Sequence, residues 1–206
     1  MGLTDLSVTE YVHRVAEGTA APGGGSVCAL VCSLSAALCL MAAHLTLGRE
    51  KYSDAWGVME ELSRSMEGLL SRSLKLAQQD ADAYGNVMAA FKMGRGDKTR
   101  TETIQAAMKQ AALIPMETLR ILARITDLVG DVIERGNPNC LCDAGVAVQL
   151  IRAATKGAAY NVRANLSKID DRDFASRMQS EMTSLENNIE QVAGRFESFI
   201  ELLLSS

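Results

Sequence analysis

The chain has 206 residues, a net charge of −4 at pH 7 and 48% apolar residues. This length is enough for one domain with a sizeable core, and no Pro- or Ser-rich linker divides it, so we expect a single domain over residues 1–206. Lys and Arg are scattered along the chain and only 4% of the residues are aromatic, which argues against nucleic acid as a partner.

The first residues lack the basic, apolar and small-residue succession of a signal peptide. We therefore expect a cytoplasmic protein whose five cysteines are reduced thiols. Residues 27–47 contain no acid, lysine or arginine, and as a helix of about 32 Å they could cross a bilayer. Ser33, Ser35 and His44 dilute this segment and no aromatic belt flanks it, so we expect a packed core helix and no membrane.

Helical periodicity runs along the whole chain, with no strand-type alternation, and predicts an all-α bundle of about seven helices. A long, central, buried helix is the second of them. Ser7 and Glu10 form a capping box, Pro115 is expected to interrupt a helix, and Asp143 is expected to cap one. The predicted helices cover residues 7–18, 26–47, 53–93, 101–113, 116–135, 143–169 and 174–204.

The segment from Ala21 to Ser26 reads Ala-Pro-Gly-Gly-Gly-Ser. Three consecutive glycines leave a turn without Cβ atoms, so a ligand can approach its peptide N–H groups, and Ser26 is a suitable N-cap for the helix that follows. Helix N-termini attract anions, and we interpret the segment as a site for a carboxylate or phosphate. The alternative is a tight hinge into a core helix.

Asp80 is the acid that the sequence singles out. In a helix it shares an apolar stripe with Leu76, Tyr84 and Val87, whereas Asp82 points to a polar side. Loss of hydration on an apolar face raises the pKa of a carboxyl group, which suits a general acid or base near neutral pH. The alternative is a structural acid held by a neighbouring arginine or a helix terminus.

Two pairs of amides are candidates for binding. Asn161 and Asn165 lie with Lys168 on one helical stripe. Hydrogen bonds to a neighbouring helix can satisfy these amides, or the amides can bind a heterocycle such as a pterin. Asn137 and Asn139 form the second pair in a predicted loop, although Asn is also an ordinary turn former.

Arg49, Lys51 and Tyr52 follow the central helix and could bind an anionic tail, although surface charges often have no specific role. Three cysteines share one stripe of the central helix. We interpret them as small core residues rather than metal ligands, because no Cys-x-x-Cys pair occurs and His44 projects to the opposite side.

Five pieces of sequence, in this order, resemble the formiminotetrahydrofolate cyclodeaminase and methenyltetrahydrofolate cyclohydrolase family. The resemblance covers nearly the whole chain and implies an all-helical homodimer that binds a one-carbon-substituted tetrahydrofolate, with no metal and no cofactor besides this substrate. The chain looks like the free-standing form, so no formiminotransferase activity is expected. The pieces are residues 21–26, 47–52, 80–84, 136–143 and 157–166.

The catalytic aspartate of the family precedes an aromatic residue by four positions, which implies Asp80 here, with Tyr84 as the aromatic residue. Gln78 stands where relatives often have another acid, so a mechanism with two carboxylates is in doubt. The expected substrate-binding residues are Pro22, Gly23, Gly24, Gly25, Ser26, Arg49, Lys51, Tyr52, Asn137, Asn139, Asp143, Asn161 and Asn165.

The first functional interpretation is a lyase, formiminotetrahydrofolate cyclodeaminase, with Asp80 as general acid and base. The second is a hydrolase, methenyltetrahydrofolate cyclohydrolase, which shares the intermediate type and the catalytic group. Two further classes stay open: a non-catalytic helical assembly protein and a membrane-associated helical protein.

Overall fold

The computed structural model describes residues 2–205 and is all-α over them, as the sequence predicts. Six α-helices and three short 3₁₀ helices make up one bundle, and the helix count is close to the predicted seven. The α-helices are α1 (Val8–Ala16), α2 (Gly24–His44), α3 (Trp56–Phe91), α4 (Arg100–Arg135), α5 (Leu141–Leu166) and α6 (Arg172–Leu204). The 3₁₀ helices are Leu3–Asp5, Glu50–Ala55 and Pro138–Cys140.

Helix α2 is the central element and packs against α3, α4 and α5. Its inward positions are small and fully buried, among them Ala29, Cys32, Ala36 and Cys39. Small side chains let the neighbouring helices approach closely, because the distance between helix axes depends on the residues at the contact. Cys32 and Cys39, two of the three cysteines that share one side of this helix, are therefore core residues.

One face of α2 is left partly uncovered by the other residues of 2–205. Leu34, Met41 and Leu45 are 48%, 37% and 40% exposed, and Leu30 and Leu38 on the same face are half-buried. We call these five residues the α2 stripe. Among the residues described, α2 alone is long and apolar enough to cross a bilayer, and half of its most apolar window is buried. The expectation of a packed, buried core helix was therefore wrong for this face.

Several helix ends lie where the sequence predicts them. The hydroxyl of Ser7 accepts a hydrogen bond from the N–H of Glu10, whose carboxylate accepts from the N–H of Ser7. Gly18 and Gly48 have φ values of 72° and 74° and follow the ends of α1 and α2. Glycine adopts this left-handed conformation without the steric cost that a Cβ brings.

Two predicted caps differ from the structure. Helix α2 begins at Gly24 with Gly23 as its N-cap, so Ser26 is the third helical residue and its hydroxyl is used elsewhere. Helix α5 begins after Cys140, and Asp143 lies in its first turn rather than at the cap. A carboxylate in a first turn still interacts favourably with the helix dipole.

Pro115 does not interrupt α4, which runs unbroken from Arg100 to Arg135. A proline inside a helix has no N–H to donate to the carbonyl four residues earlier, here that of Ala111. The side-chain amide of Asn165 donates to this carbonyl at 3.0 Å. The predicted break was wrong because α5 supplies the missing donor.

The buried apolar residues form two clusters. The larger one surrounds α2 and includes Leu62 and Leu122. The smaller one joins the later part of α3 and the first half of α4 to α5 and α6, with Val87 and Met108 among its residues. Cys28, near the start of α2, packs against the smaller cluster. The glycine-rich turn therefore lies where the two clusters meet.

The contact between α2 and α5 gives a test of this packing. A Cβ on Gly157 would overlap with Sγ of Cys28, so we expect Gly157→Ala to lower the free energy of unfolding by about 1–3 kcal/mol. Denaturant titration measures this loss. Gly194→Ala is the matched control: its Cβ would meet nothing within 4 Å, and alanine favours the helix by up to about 1 kcal/mol.

Removing the sulfur should remove the clash. Gly157→Ala should therefore cost clearly less in a Cys28→Ala background than in the unchanged chain. An equal loss in both backgrounds would show that the α2–α5 contact is not the cause.

Candidate active site

The carboxylate of Asp80, on α3, lies against the first turn of α2. Oγ of Ser26 donates to Oδ2 of Asp80 at 2.9 Å. A Cβ on Gly25 would lie only 2.6 Å from Cγ of Asp80, closer than real Cβ contacts allow. Glycine at position 25 is therefore what lets the carboxylate reach the start of α2.

Two opposing effects act on the pKa of Asp80. Burial disfavours the charged form and raises the pKa above its ordinary value, while hydrogen bonds from the hydroxyl and backbone N–H of Ser26 lower it. Burial is the larger effect, so the pKa is raised. Both interpretations of Asp80 therefore apply. The residue is in the apolar environment expected from the helical stripe, and a helix terminus also holds it.

This contact also changes the interpretation of the glycine-rich turn. The sequence suggested that the N-terminus of α2 receives a carboxylate or phosphate from a ligand. In the structure, the carboxylate at Gly25 and Ser26 belongs to the protein itself. Asp80 thus occupies the positive end of the helix dipole.

A cavity of about 210 Å³ opens beside Asp80. It brings together five of the thirteen expected binding residues with the expected catalytic one: Gly23, Gly24, Gly25, Asn161, Asn165 and Asp80. Ligand pockets commonly measure about 300–1,000 Å³, so this cavity can enclose only part of a folate-sized molecule. The remaining lining residues are Ala20, Ala21, Ala83, Tyr84, Val87, Met108, Ala111 and Lys168.

The two amides of α5 face this cavity with different structural duties. Nδ2 of Asn161 donates to the carbonyl of Gly157 at 2.8 Å, within the same helix. Nδ2 of Asn165 donates to Ala111 in α4, which is the interhelical hydrogen bond that the sequence offered as one alternative. The amide nitrogens therefore have partners within the protein, and the carbonyl oxygens can still accept hydrogen bonds.

Two ionisable groups beside Asp80 have raised pKa values. The hydroxyl of Tyr11 is buried without a hydrogen-bond partner in residues 2–205, and burial, then Asp80 and Cys28, raise its pKa. Burial and the charge of Asp80 raise the pKa of the Cys28 thiol to about 11. Cys28 is therefore a neutral thiol at neutral pH and a poor nucleophile.

Sequence reasoning missed several of the cavity's residues. Lys168 carried a visible signal, since it stands three positions after Asn165 on the same stripe. Met108 and Ala111 had none, because they come from another helix and are brought in by packing. Tyr11 interacts with Asp80 without lining the cavity, and it is placed there by the fold, as the one buried residue of α1.

Two residues of the glycine-rich segment contribute indirectly. Ser26 is fully buried and acts on Asp80 rather than lining the cavity. Pro22 is buried and lines a separate small pocket, next to Leu3 and Gln78. Gln78 accepts from the N–H of Leu3 at 2.6 Å and donates to Asp82 at 2.8 Å, so this residue fastens the N-terminal segment to α3.

The other expected binding residues lie at the opposite end of α2. Tyr52 donates to Oδ1 of Asn137 at 3.0 Å, and Nδ2 of Asn137 donates to the carbonyl of Leu45 at 3.2 Å. Since α2 has 21 residues, about 30 Å of helix separates this end from Gly24. We call the following residues the α2 C-terminal group: Arg49, Lys51, Tyr52, Asn137, Asn139 and Asp143.

This separation excludes a joint binding site for one carboxylate within a single chain. The glycine-rich turn and Arg49 or Lys51 cannot hold the same carboxylate within one chain, because the length of α2 lies between them. Inside the chain, Asn137 has a structural role, since it accepts from Asn139 and Tyr52 and donates to the carbonyl of Leu45, just after α2. The binding roles of this group stay predictions.

The other cavities and side-chain groups are weaker candidates for an active site. A groove of about 670 Å³ between α3 and α4 has no acid among its lining residues, which include Met93, Ala107 and Lys109. Within residues 2–205, no three His, Cys, Asp or Glu side chains are grouped so as to hold a metal ion. Asp80 and its cavity are therefore the strongest candidate site in the part of the chain that the structure describes.

The formiminotransferase-cyclodeaminase family model matches residues 7–184. The chain belongs to this family. It is similar to a methenyltetrahydrofolate cyclohydrolase of Methylorubrum extorquens, with 31% identity over 87% of this chain and 88% of the relative. It is also similar to the crystal structure of formiminotetrahydrofolate cyclodeaminase from Thermotoga maritima, with a TM-score of 0.91, 31% identity, and coverage of 98% of this chain and 99% of that one.

A third relative is larger. The chain is 29% identical to formimidoyltransferase-cyclodeaminase of Rattus norvegicus over 89% of its own length. The match covers 35% of the rat protein. This chain therefore corresponds to about a third of the bifunctional relative.

Asp80 should reduce the stability of the fold at neutral pH. Its pKa is raised in the folded state, so the folded protein binds the proton more tightly than the unfolded chain. The free energy of unfolding should then fall as pH rises from the ordinary carboxyl pKa through the raised one. Asp80→Asn, which is neutral and can still accept from Ser26, should be at least as stable as the wild type at pH 7.

Denaturant titrations of both proteins between pH 3 and pH 8 measure this difference. The advantage of Asp80→Asn should disappear at the acidic end, where Asp80 is protonated. A variant that is less stable than the wild type at pH 7 and equally stable at pH 3 would show the opposite sign, that of a stabilising carboxylate.

Proposed function

We propose that this chain is a folate one-carbon enzyme, with formiminotetrahydrofolate cyclodeaminase as the first candidate and Asp80 as general acid and base. The observation that carries the proposal is a carboxylate with a raised pKa at the wall of a cavity that also presents two amides. The names of the relatives support the substrate class.

In the deaminase reaction, N10 of the folate attacks the formimino carbon on N5, ammonia leaves and the methenyl bridge forms. The tetrahedral carbon then carries N5, N10 and the formimino nitrogen, so a proton has to leave N10 and reach the formimino nitrogen, which departs as ammonia. Asp80 would carry this proton, and its negative charge would stabilise the amidinium cation. The proposal calls for no cofactor besides the substrate.

The second candidate is methenyltetrahydrofolate cyclohydrolase. Here water attacks the methenyl carbon, and the ring opens to 10-formyltetrahydrofolate. Asp80 would take the proton from water and return it to the leaving nitrogen. The Methylorubrum extorquens relative, matched over 88% of its length, bears this name, and the Thermotoga maritima protein, matched over 99% of its chain, bears the cyclodeaminase name, so the names support both candidates.

The amides complete the proposed site. The carbonyl oxygens of Asn161 and Asn165 would accept from the N–H groups of the reduced pterin, and Gly24, which carries no side chain, would leave room for its ring. Such contacts hold the reacting carbon in reach of the carboxylate.

Asp80→Asn should lower kcat by about 10²- to 10⁴-fold, the usual contribution of general acid–base catalysis, with little change in folate affinity. Asp82→Asn is the matched control: Asp82 is on the same helix and exposed, and its kcat should stay unchanged. The methenyl chromophore, followed with each substrate in turn, reports the rates. Its growth from the formimino compound indicates cyclodeaminase, and its accelerated loss indicates cyclohydrolase.

Retention of most activity in Asp80→Asn would remove Asp80 from this role. If neither folate is converted by the wild type and neither raises its melting temperature, the function itself is wrong, since a specific ligand stabilises the folded state by mass action.

We also propose that the protein is a homodimer that pairs through the α2 stripe. A contiguous exposed apolar face is typical of an interaction surface, and a two-fold pair presents the same face from each copy. An antiparallel arrangement aligns the helix dipoles favourably and brings the partner's Arg49 and the partner's Asn139 toward Gly24. The two separated groups of expected binding residues would then meet.

Leu34 tests this arrangement because it is the midpoint of α2, between Gly24 and His44. In an antiparallel pair the midpoints face each other, so Leu34→Cys should form an intermolecular disulfide in a Cys142→Ser background, where the exposed native thiol is absent. Leu45→Cys should not, since its own copy would lie about 30 Å away. Non-reducing electrophoresis after mild oxidation shows the result.

Cross-linking of Leu45→Cys but not Leu34→Cys would rule out the antiparallel pair. A wild-type chain that is monomeric in sedimentation at micromolar concentration would remove the dimer altogether.

A further inference from the structure

Lys168 is a cation of the cavity that the proposed mechanism does not use. It is the one Lys or Arg among the residues that line the cavity. Its ammonium group forms no ion pair with residues 2–205, and only its backbone carbonyl has a side-chain partner, Gln105. By contrast, nearby Lys109 is neutralised by Asp171 at 2.6 Å.

The cavity has two chemically different ends. Gly25, Asp80 and Asn161 define one end, since a Cβ on neighbouring Gly24 would lie 3.5 Å from the amide of Asn161. Lys168 is exposed and stands in the turn after α5, two residues beyond Leu166 and seven after Asn161, at most about 10 Å further along the direction of α5. The two ends are therefore acidic and basic, respectively.

One part of the cavity wall is apolar, beside the polar side chains of Tyr84 and Asn165. Ala83 and Val87 of α3 face Met108 and Ala111 of α4 there, and the cavity has no charged side chain besides Asp80 and Lys168. Such a wall suits a flat apolar group that carries an anion at its far end.

Asp80 makes the cationic end necessary for an anionic ligand. The start of α2 is already filled by the carboxylate of Asp80, so a second carboxylate there would be repelled. Lys168 is the place in this cavity where an anion gains a favourable interaction.

We propose that Lys168 binds a carboxylate of the folate's glutamate and thereby fixes the direction of the substrate in the cavity. This inference rests on the proposed function. The reacting N5 and N10 lie at Asp80, the aminobenzoyl ring lies along the apolar wall, and the glutamate reaches Lys168. Lys168 is thus a specificity-determining residue: it distinguishes folates that carry glutamate from pteroates that lack it.

The test compares two substrates, methenyltetrahydrofolate and methenyltetrahydropteroate, or the corresponding formimino pair for a deaminase. Wild type should have about tenfold higher kcat/KM for the glutamate-bearing substrate, with the difference mainly in KM, as expected for a charge-assisted contact outside the reacting centre. Lys168→Gln should reduce this ratio toward one, by raising KM for the glutamate-bearing substrate. Lys168→Arg should keep most of the ratio.

Lys75→Gln is the control, because Lys75 is exposed on α3 and does not line the cavity. It should keep the wild-type ratio. The preference of the wild type should also weaken as ionic strength rises, and that of Lys168→Gln should not respond.

An unchanged ratio in an active Lys168→Gln enzyme would overturn the inference. So would a shift in the pH profile of kcat with the ratio intact, because it would mean that Lys168 acts on Asp80 instead. A wild type that converts neither substrate would refute the proposed function, which is a different result from an active enzyme without glutamate preference.

Discussion

The candidate site depends on one contact, that of the Asp80 carboxylate with the first turn of α2. The helix dipole and the hydrogen bonds from Ser26 favour the ionised form, whereas burial disfavours it more strongly. A carboxylate held in this balance stays oriented and keeps its affinity for a proton. The contact requires glycine at position 25, since any side chain there would push the carboxylate away.

The same residues serve the fold and the site. Asn165 supplies the donor that Pro115 lacks, and the same residue lines the cavity. Removing this amide would leave the carbonyl of Ala111 without its donor, a cost of about 1–3 kcal/mol for a buried acceptor. A loss of activity on changing Asn165 would therefore mix binding with stability. Asp80 is easier to interpret, because its neutral analogue should not destabilise the fold.

The sequence predicted what depends on local pattern. Helical periodicity indicated the bundle, and the position of Asp80 on an apolar stripe indicated its raised pKa. The sequence did not predict the role of Ser26. A serine at a helix start can cap the helix, and whether Ser26 does so or binds a carboxylate depends on Asp80, 54 positions away. The continuity of α4 through Pro115 depends in the same way on Asn165 from another helix. These outcomes are set by packing between distant segments.

The length of α2 links the remaining observations. Within one chain, α2 separates the two groups of expected binding residues by about 30 Å and presents an exposed apolar stripe between them. Its first turn lies beside a cavity too small for a whole folate. Each of these features is incomplete in a single copy. The proposed antiparallel pair resolves all three by one operation, because it covers the stripe and places the C-terminal end of each α2 beside the glycine-rich start of the other. The separation that excludes a shared ligand within one chain therefore becomes the reason to expect one between two.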